Sequence, residues 1–209
     1  MSIPERTPKQ PIIAPQPQKL IRKKVRAARR ALSAQQQNAY SNAAAEKALI
    51  KLKQLGAKKV ALYVSHDGEL DTLPLINTLW QHGFEVYLPK LHPFSTGNLI
   101  FLKYHPNTVL TQNSLGIWEP KLDITHMILP QQLDVVVTPL VAFDATGNRM
   151  GMGGGYYDRT LANWRTTGKP LPMGYAHDCQ QVAALPSQHW DVPLPLIITP
   201  TRSYSFAPQ

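Results

Sequence analysis

DVVVTPLVAFDATGNRMGMGGGYYDRTL, residues 134–161, is the stretch from which the fold can be read. Residues 134–138 centre on three consecutive valines, the composition of a strand covered on both faces. A glycine-rich loop follows, and residues 157–165 read as helical. The same alternation appears on either side. Residues 59–64 (KVALYV) are β-branched and aromatic, Asp71 opens a helix that Gly83 closes, and residues 85–88 form the next strand. Residues 172–176 and 194–199 are later strand candidates. Strands alternating with helices predict an α/β fold, layered αβα around a largely parallel central sheet.

Upstream, Leu20, Ile21, Val25, Ala28 and Leu32 recur at helical spacing with basic residues between them, so residues 18–32 form a basic amphipathic helix. Ser33 followed by Gln36 is a capping-box pattern that starts a second helix, running to about Leu55 and stopped by Gly56. Residues 1–17 hold five prolines and no apolar periodicity, which cannot offset the entropy of ordering. The expected organisation is a disordered N-terminal tail over 1–17 and a single domain over 18–209.

The 209 residues, 43% of them hydrophobic, are enough for one buried core. The net charge of +9 is concentrated, since seven of the twelve residues 19–30 are basic. Such a surplus draws anions of any kind and does not choose among nucleotides, nucleic acid and small polyanions. Cys179, the single cysteine, cannot make an internal disulfide. No apolar stretch approaches the ~20 residues needed to cross a bilayer, and residues 1–17 lack the apolar middle of a secretory signal. A soluble, cytoplasmic protein is expected.

In the central loop, Gly151, Gly153, Gly154 and Gly155 allow positive φ and close approach of backbone N–H groups to a ligand. The helix that follows adds a partial positive charge, so the loop suits phosphate oxygens. No Gly-Lys-Ser/Thr closes it, which excludes a Walker A loop. The G-x-G-x-x-G spacing fails at Tyr156, which excludes the dinucleotide fingerprint. On glycine content alone, a ligand-free turn is an equal reading. Arg149 and the Tyr156-Tyr157-Asp158 triplet favour a site.

The pattern N-R-x-G-x-G-x-G-Y-Y-D, residues 148–158, resembles the signature loop of the 5-formyltetrahydrofolate cyclo-ligase family. VALYVSHDGELDTLPLI (60–76), VYLPKL (86–91), LGIWEP (115–120), DVVVTPLVAFD (134–144) and HWDVPL (189–194) extend the resemblance from the basic helix to about Thr199. It implies a NagB/RpiA/CoA-transferase-like fold. It also implies ATP- and magnesium-dependent cyclisation of 5-formyltetrahydrofolate to 5,10-methenyltetrahydrofolate, with release of ADP and phosphate. Mg2+ is then the cofactor and ATP a co-substrate. In the family, the formyl oxygen attacks the γ-phosphate and N10 closes on the activated carbon with loss of phosphate. No side-chain nucleophile is required; positioning and charge neutralisation carry the chemistry.

Residue by residue, the resemblance implies that Arg149 and Arg22 are catalytic. ATP would be held by Lys19, Arg22, Lys23, Arg149, Gly151, Gly153, Gly154, Gly155, Tyr156 and Tyr157. Val64, Glu69 and the segment Met152, Gly153, Gly154, Gly155 and Tyr156 would border the folate, with Glu69 accepting hydrogen bonds from the amino-pterin ring. Asp158 and Asp191 correspond to magnesium ligands. Without the resemblance, Asp158 reads as a helix N-terminal acid, Asp191 as a turn residue and Glu69 as a solvated loop acid. Trp118 could stack on a flat ring, but a core tryptophan is the commoner outcome. The sequence departs from the family at Gln18, where relatives carry a lysine, so Lys19 must substitute or the helix must shift. It departs again at Pro195, where many relatives carry an acid.

Two rivals come from other classes. A nucleic-acid-binding module explains the basic cluster but not the loop. A sugar-phosphate isomerase or acyl-CoA transferase shares the implied fold, but His66, His177 and His189 are too scattered to supply its acid/base pair. The expected partners are 5-formyltetrahydrofolate and ATP, with no nucleic acid, no membrane and a monomeric state.

Overall fold

The computed structural model describes residues 17–186, 188 and 190–206; the expected tail, apart from Pro17, lies outside them, as does His189. Helix α1 (Pro17–Arg30) starts on a proline, whose missing N–H is no loss in a first turn. Helix α2 (Ala34–Gln54) is opened by the expected capping box: Gln36 N donates to Ser33 Oγ at 3.2 Å and Ser33 N to Gln36 Oε1 at 2.9 Å. Helix α3 (Leu73–Gln81) begins two residues after Asp71, because that carboxylate stays outside the helix and accepts from Leu73 N at 3.1 Å.

The strands are β1 (Lys59–Ala61), β2 (Glu85–Leu91), β3 (Leu99–Lys103), β4 (Leu110–Gln112), β5 (Trp118–Pro120), β6 (Met127–Ile128), β7 (Val135–Thr138), β8 (Ala142–Phe143), β9 (Arg149–Met150), β10 (Leu171–Tyr175), β11 (Leu196–Ile198) and β12 (Ser203–Ser205). Eight of them form one sheet in the order β12-β11-β10-β7-β1-β2-β3-β6. The run from β11 to β2 is parallel throughout. Antiparallel partners flank it, β12 on one side and β3 followed by β6 on the other. The sheet is therefore parallel at its centre and mixed at its edges. Two hairpins, β4–β5 and β8–β9, stand apart from it.

All four residues of β7 are buried, and its three valines alternate between two cores. Val135 and Val137 pack with Ala44, Ala48 and Leu52 of α2 and Leu75 and Leu79 of α3 on one face. Val136 packs on the other face with Ala61, Tyr87, Phe101 and Leu161. A strand buried on both sides favours apolar residues, and each buried valine contributes about 1.5–3 kcal/mol; the hydroxyl of buried Thr138 at its end donates to Met173 O at 3.4 Å. This accounts for the three valines that marked the strand in the sequence.

The second face is covered by two short helices, α4 (Tyr156–Leu161) and α5 (Trp164–Thr167), where the sequence suggests one continuous helix. Asn163 leaves helical geometry at φ −98°, ψ 4° and starts α5. Helix α1 packs through Ile21 and Val25 onto Val141, Ala142 and Met150 of the β8–β9 hairpin. Among the described residues, no helix is long and apolar enough to cross a membrane.

Candidate active site

β1 and β7 are parallel neighbours, with Val60 opposite Val135 and Ala61 opposite Val136, so their C-terminal ends open side by side. In parallel α/β sheets, ligands bind in the crevice beyond such ends. From β1 the chain runs through Tyr63 and Val64 to Glu69, and from β7 into the β8–β9 hairpin and the glycine loop. These two segments, together with α1, the β4–β5 hairpin, Gln188 and residues 190–193, line a cavity of about 1320 Å³.

The glycine loop is anchored at its root. The carboxylate of Asp144, 3% exposed, accepts from Thr146 N at 2.9 Å, Thr146 Oγ1 at 2.7 Å, Asn148 Nδ2 at 3.1 Å and Leu185 N at 3.1 Å. Burial alone would raise its pKa, and these donors hold it below the usual range instead. The turn so fixed pairs Phe143 with Arg149 and delivers Arg149 to the cavity wall at 8% exposure. Burial lowers the pKa of the Arg149 guanidinium, opposed by the negative charges of Asp158, Tyr157 and Asp191 when ionised. An arginine nevertheless stays charged. Its Nη2 donates to Asp158 Oδ1 at 2.6 Å, while its Nε has no hydrogen-bond partner among the described residues. Asp158 Oδ1 also accepts from Val192 N at 3.2 Å, and Asp191 Oδ2 accepts from Gln188 N at 2.8 Å. Both aspartates line the same cavity as Arg149.

Gly153 and Gly155 take φ of +102° and +66°, which side chains other than glycine rarely adopt. At Gly155 a Cβ would also stand 2.8 Å from Arg159 Nη1. Arg159 stitches the loop down: its Nε donates to Gly97 O at 2.7 Å, its Nη2 donates to Gly154 O, and its guanidinium lies 5.7 Å from the Tyr156 ring centre. With only six residues, α4 supplies a weaker dipole than the sequence suggests, which leaves arginine and backbone amides as the main positive groups at the loop.

Helix α1 enters from the other side. Arg22 Nε donates to Gly151 O at 2.9 Å. Further along, Asp67 Oδ2 accepts from Arg26 Nε at 2.7 Å and Arg29 Nη2 at 2.8 Å, and Arg30 pairs with Oδ1. Burial would raise the Asp67 pKa, but the three guanidiniums carry it far below the normal carboxylate range. Two residues on, Glu69 Oε2 accepts from His66 N at 3.0 Å and Oε1 lies 3.8 Å from Arg29 Nη1. Here burial dominates, lifting the Glu69 pKa to about 7 against the pull of Arg29 and the His66 N–H. Buried Tyr157 is raised by its own desolvation and by the nearby Glu69 charge, and lowered by Arg149.

The cavity thus brings together Arg22, Val64, Glu69, Arg149, Gly151, Met152, Gly153, Gly154, Gly155, Tyr156, Tyr157, Asp158 and Asp191. Lys19 and Lys23 are exposed and do not line it, whereas Gln18 does. Trp118 is 49% exposed at the cavity, not in the core. Among the scattered histidines, His66 reaches the cavity wall and His177 is buried at 1% exposure. Sequence reasoning missed Arg26, Arg29, Asp67 and Arg159. The first two carry a readable signal, since 22, 26 and 29 fall on one face of a helix.

The chain is similar over most of its length to known proteins. The family model described as 5-formyltetrahydrofolate cyclo-ligase family matches residues 15–200. The Escherichia coli (strain K12) 5-formyltetrahydrofolate cyclo-ligase is 52% identical over 182 residues, covering 87% of this chain and 100% of the relative. The Haemophilus influenzae enzyme of the same name is 50% identical over 174 residues, covering 83% and 92%. The Aquifex aeolicus 5,10-methenyltetrahydrofolate synthetase structure superposes with a TM-score of 0.72 at 31% identity, covering 92% of this chain and 94% of that one. The Mycoplasma pneumoniae synthetase gives 0.70 at 26% identity, covering 88% and 99%.

Proposed function

Because this chain belongs to the 5-formyltetrahydrofolate cyclo-ligase family, we propose that its cavity closes 5-formyltetrahydrofolate to 5,10-methenyltetrahydrofolate at the expense of ATP. The activity is that of an ATP-dependent ligase that forms a carbon–nitrogen bond, and residues 18–209 act as one catalytic unit. The observation that carries the site assignment is a buried guanidinium, Arg149, at the foot of a glycine loop and beside two carboxylates on one cavity wall.

The formyl oxygen attacks the γ-phosphorus, the β,γ-bridging oxygen leaves with ADP, and the formyl carbon becomes a phosphorylated imidate. N10 adds to that carbon and gives up its proton, and the carbon–oxygen bond breaks with release of phosphate. Negative charge builds on the equatorial phosphoryl oxygens in the first step, so fixed cations there lower the barrier. Arg149, held by Asp158, and Arg22, held by Gly151, supply them at the loop. Gly153 and Gly155 let the backbone approach the phosphates. In this reading Glu69 accepts hydrogen bonds from the amino-pterin and Val64 and Met152 border the ring, which is supported by all three lining the cavity.

Magnesium fits the donor set. It needs few carboxylates when phosphate and water oxygens complete its shell. Asp158 and Asp191 each keep one carboxylate oxygen that takes no hydrogen bond among the described residues. When bound, the metal would neutralise phosphate charge.

The rivals have no comparable support. Arg22, Arg26, Arg29 and Arg30 of the basic helix turn onto Gly151 and Asp67, contacts that a nucleic-acid surface would not require. A cytoplasmic monomer with no nucleic-acid or membrane partner remains the working expectation. The purified protein, given 5-formyltetrahydrofolate, ATP and magnesium, should build the near-ultraviolet absorbance of the methenyl product, and omission of any one component should abolish it. A flat trace with all three present would overturn the reading.

A further inference from the structure

We infer that Asp67 is a positioning residue for ATP: it clamps helix α1 so that Arg22 stands over the glycine loop. This rests on the proposed function and adds a residue with no assigned part in it.

Asp67 is the one non-glycine residue at positive φ among the described residues, at +54°. Aspartate adopts that region more readily than most side chains, but here surrounding contacts hold it there as well. Those contacts are three arginines of one helix. Arg26 and Arg29 share Oδ2, Arg30 takes Oδ1, and Arg29 Nε donates to the Asp67 carbonyl at 2.8 Å. Arg29 is 1% exposed, so its pairing is not interchangeable with water. A single carboxylate therefore fixes both the rotation and the height of the C-terminal half of α1.

One turn before Arg26 on the same helix face is Arg22. It reaches Gly151 O, and its Nη2 lies 3.6 Å from the position a Cβ on Gly153 would take. Over so short a distance a helix moves as a rigid rod, so a shift at Arg26 and Arg29 is passed to Arg22 nearly undiminished. The apolar packing of Ile21 and Val25 on the β8–β9 hairpin resists sliding less specifically than a three-way ion pair. Effective placement of a charge against a phosphate tolerates errors of well under 1 Å.

The test uses the full-length protein and measures KM for ATP, KM for 5-formyltetrahydrofolate and kcat in Asp67→Asn, Arg22→Ala and the double variant. Asp67→Asn should raise KM for ATP about tenfold and KM for the folate by less, the latter through the contact of Arg29 with Glu69. In the Arg22→Ala background the same change should add less than twofold, because Asp67 acts through Arg22. Equal effects of Asp67→Asn in both backgrounds, or a change in folded fraction with KM for ATP unaltered, would overturn the inference. Should Asp67→Asn fail to fold because Arg29 loses its partner, Arg30→Gln takes its place. Arg30 does not line the cavity and meets the clamp only through Asp67. It should raise KM for ATP two- to threefold in the parent and not at all in Arg22→Ala, and an unchanged KM in the parent would reject the idea. If the unaltered protein forms no methenyl product, the proposed function fails instead, and the two failures are distinct.

Discussion

The Nη2 of Arg149 and Oδ1 of Asp158 lie 2.6 Å apart on the cavity wall, so the cation suited to phosphate and the carboxylate suited to a metal hold each other in place. Neither group has to be recruited when the nucleotide arrives. Arg149→Ala should lower kcat/KM by 10²–10³-fold, about 2.7–4 kcal/mol of transition-state stabilisation. Arg149→Lys should recover only part of it, since an ammonium cannot span two oxygens as a planar fork does. Steady-state kinetics with product absorbance checks both; parent-like kinetics in Arg149→Ala would remove this residue from the reaction.

Asp191 and Asp158 make different commitments. Asp158 is shared with Arg149 and Val192 N, whereas Asp191 takes a hydrogen bond only from Gln188 N among the described residues. Asp191→Asn should therefore shift the magnesium dependence to roughly tenfold higher concentration with little loss of fold, since one carboxylate and the phosphates still remain for the ion. Overlapping magnesium titrations of variant and parent would exclude Asp191 as a ligand.

Glu69 gives a pH test with a definite sign. Its folded pKa, about 7, exceeds the unfolded value of a glutamate, so the native state binds this proton more tightly. The stabilising contribution is complete below about pH 4.5, falls as pH rises, and is gone above about pH 7. By linkage the loss is at most on the order of 3 kcal/mol. Glu69→Gln is neutral throughout and escapes it. The melting temperature of Glu69→Gln minus that of the parent should thus be larger at pH 8 than at pH 5, while KM for the folate rises. A difference independent of pH would mean that Glu69 is not the buried, raised acid described above.

Gly155→Ala should be disproportionately harmful for a single methyl. It imposes φ +66° on an alanine and pushes against Arg159 Nη1. About 1–2 kcal/mol of backbone strain corresponds to a fall of roughly 2–8 °C in melting temperature for a chain of this size. KM for ATP should rise with it, because relief of the clash must displace Arg159 from Gly154 O or Gly97 O. Thermal melts and ATP titrations read the two effects separately.

How much of this was legible beforehand follows from the range of the forces involved. The capping box, the three-valine strand and the glycine loop are local patterns, and the sequence placed all three. The antiparallel strands β3, β6 and β12 were missed, because a strand of two to five residues joined without a crossover helix leaves no helix beside it to mark it. The break between α4 and α5 at Asn163 was likewise unannounced. In the site, Arg149, Asp158 and the glycines belong to one contiguous motif and could be read together. Asp67 could not, since its meaning depends on three arginines 37 to 41 residues away in the chain. Lys19 and Lys23 show the reverse: their charge was visible, but the direction each faces on α1 is decided by the packing of Ile21 and Val25.

The register of β1 on β7 has a consequence for how this enzyme can vary. The segment that would greet the pterin springs from one strand, and the hairpin that would greet the triphosphate springs from its neighbour. Adjacent strands are locked at a spacing of about 4.8 Å by their backbone ladder. The starting points of the two segments are thus set by the sheet itself. Substitution within either segment can retune how each reactant would be gripped while the strand ends keep that spacing.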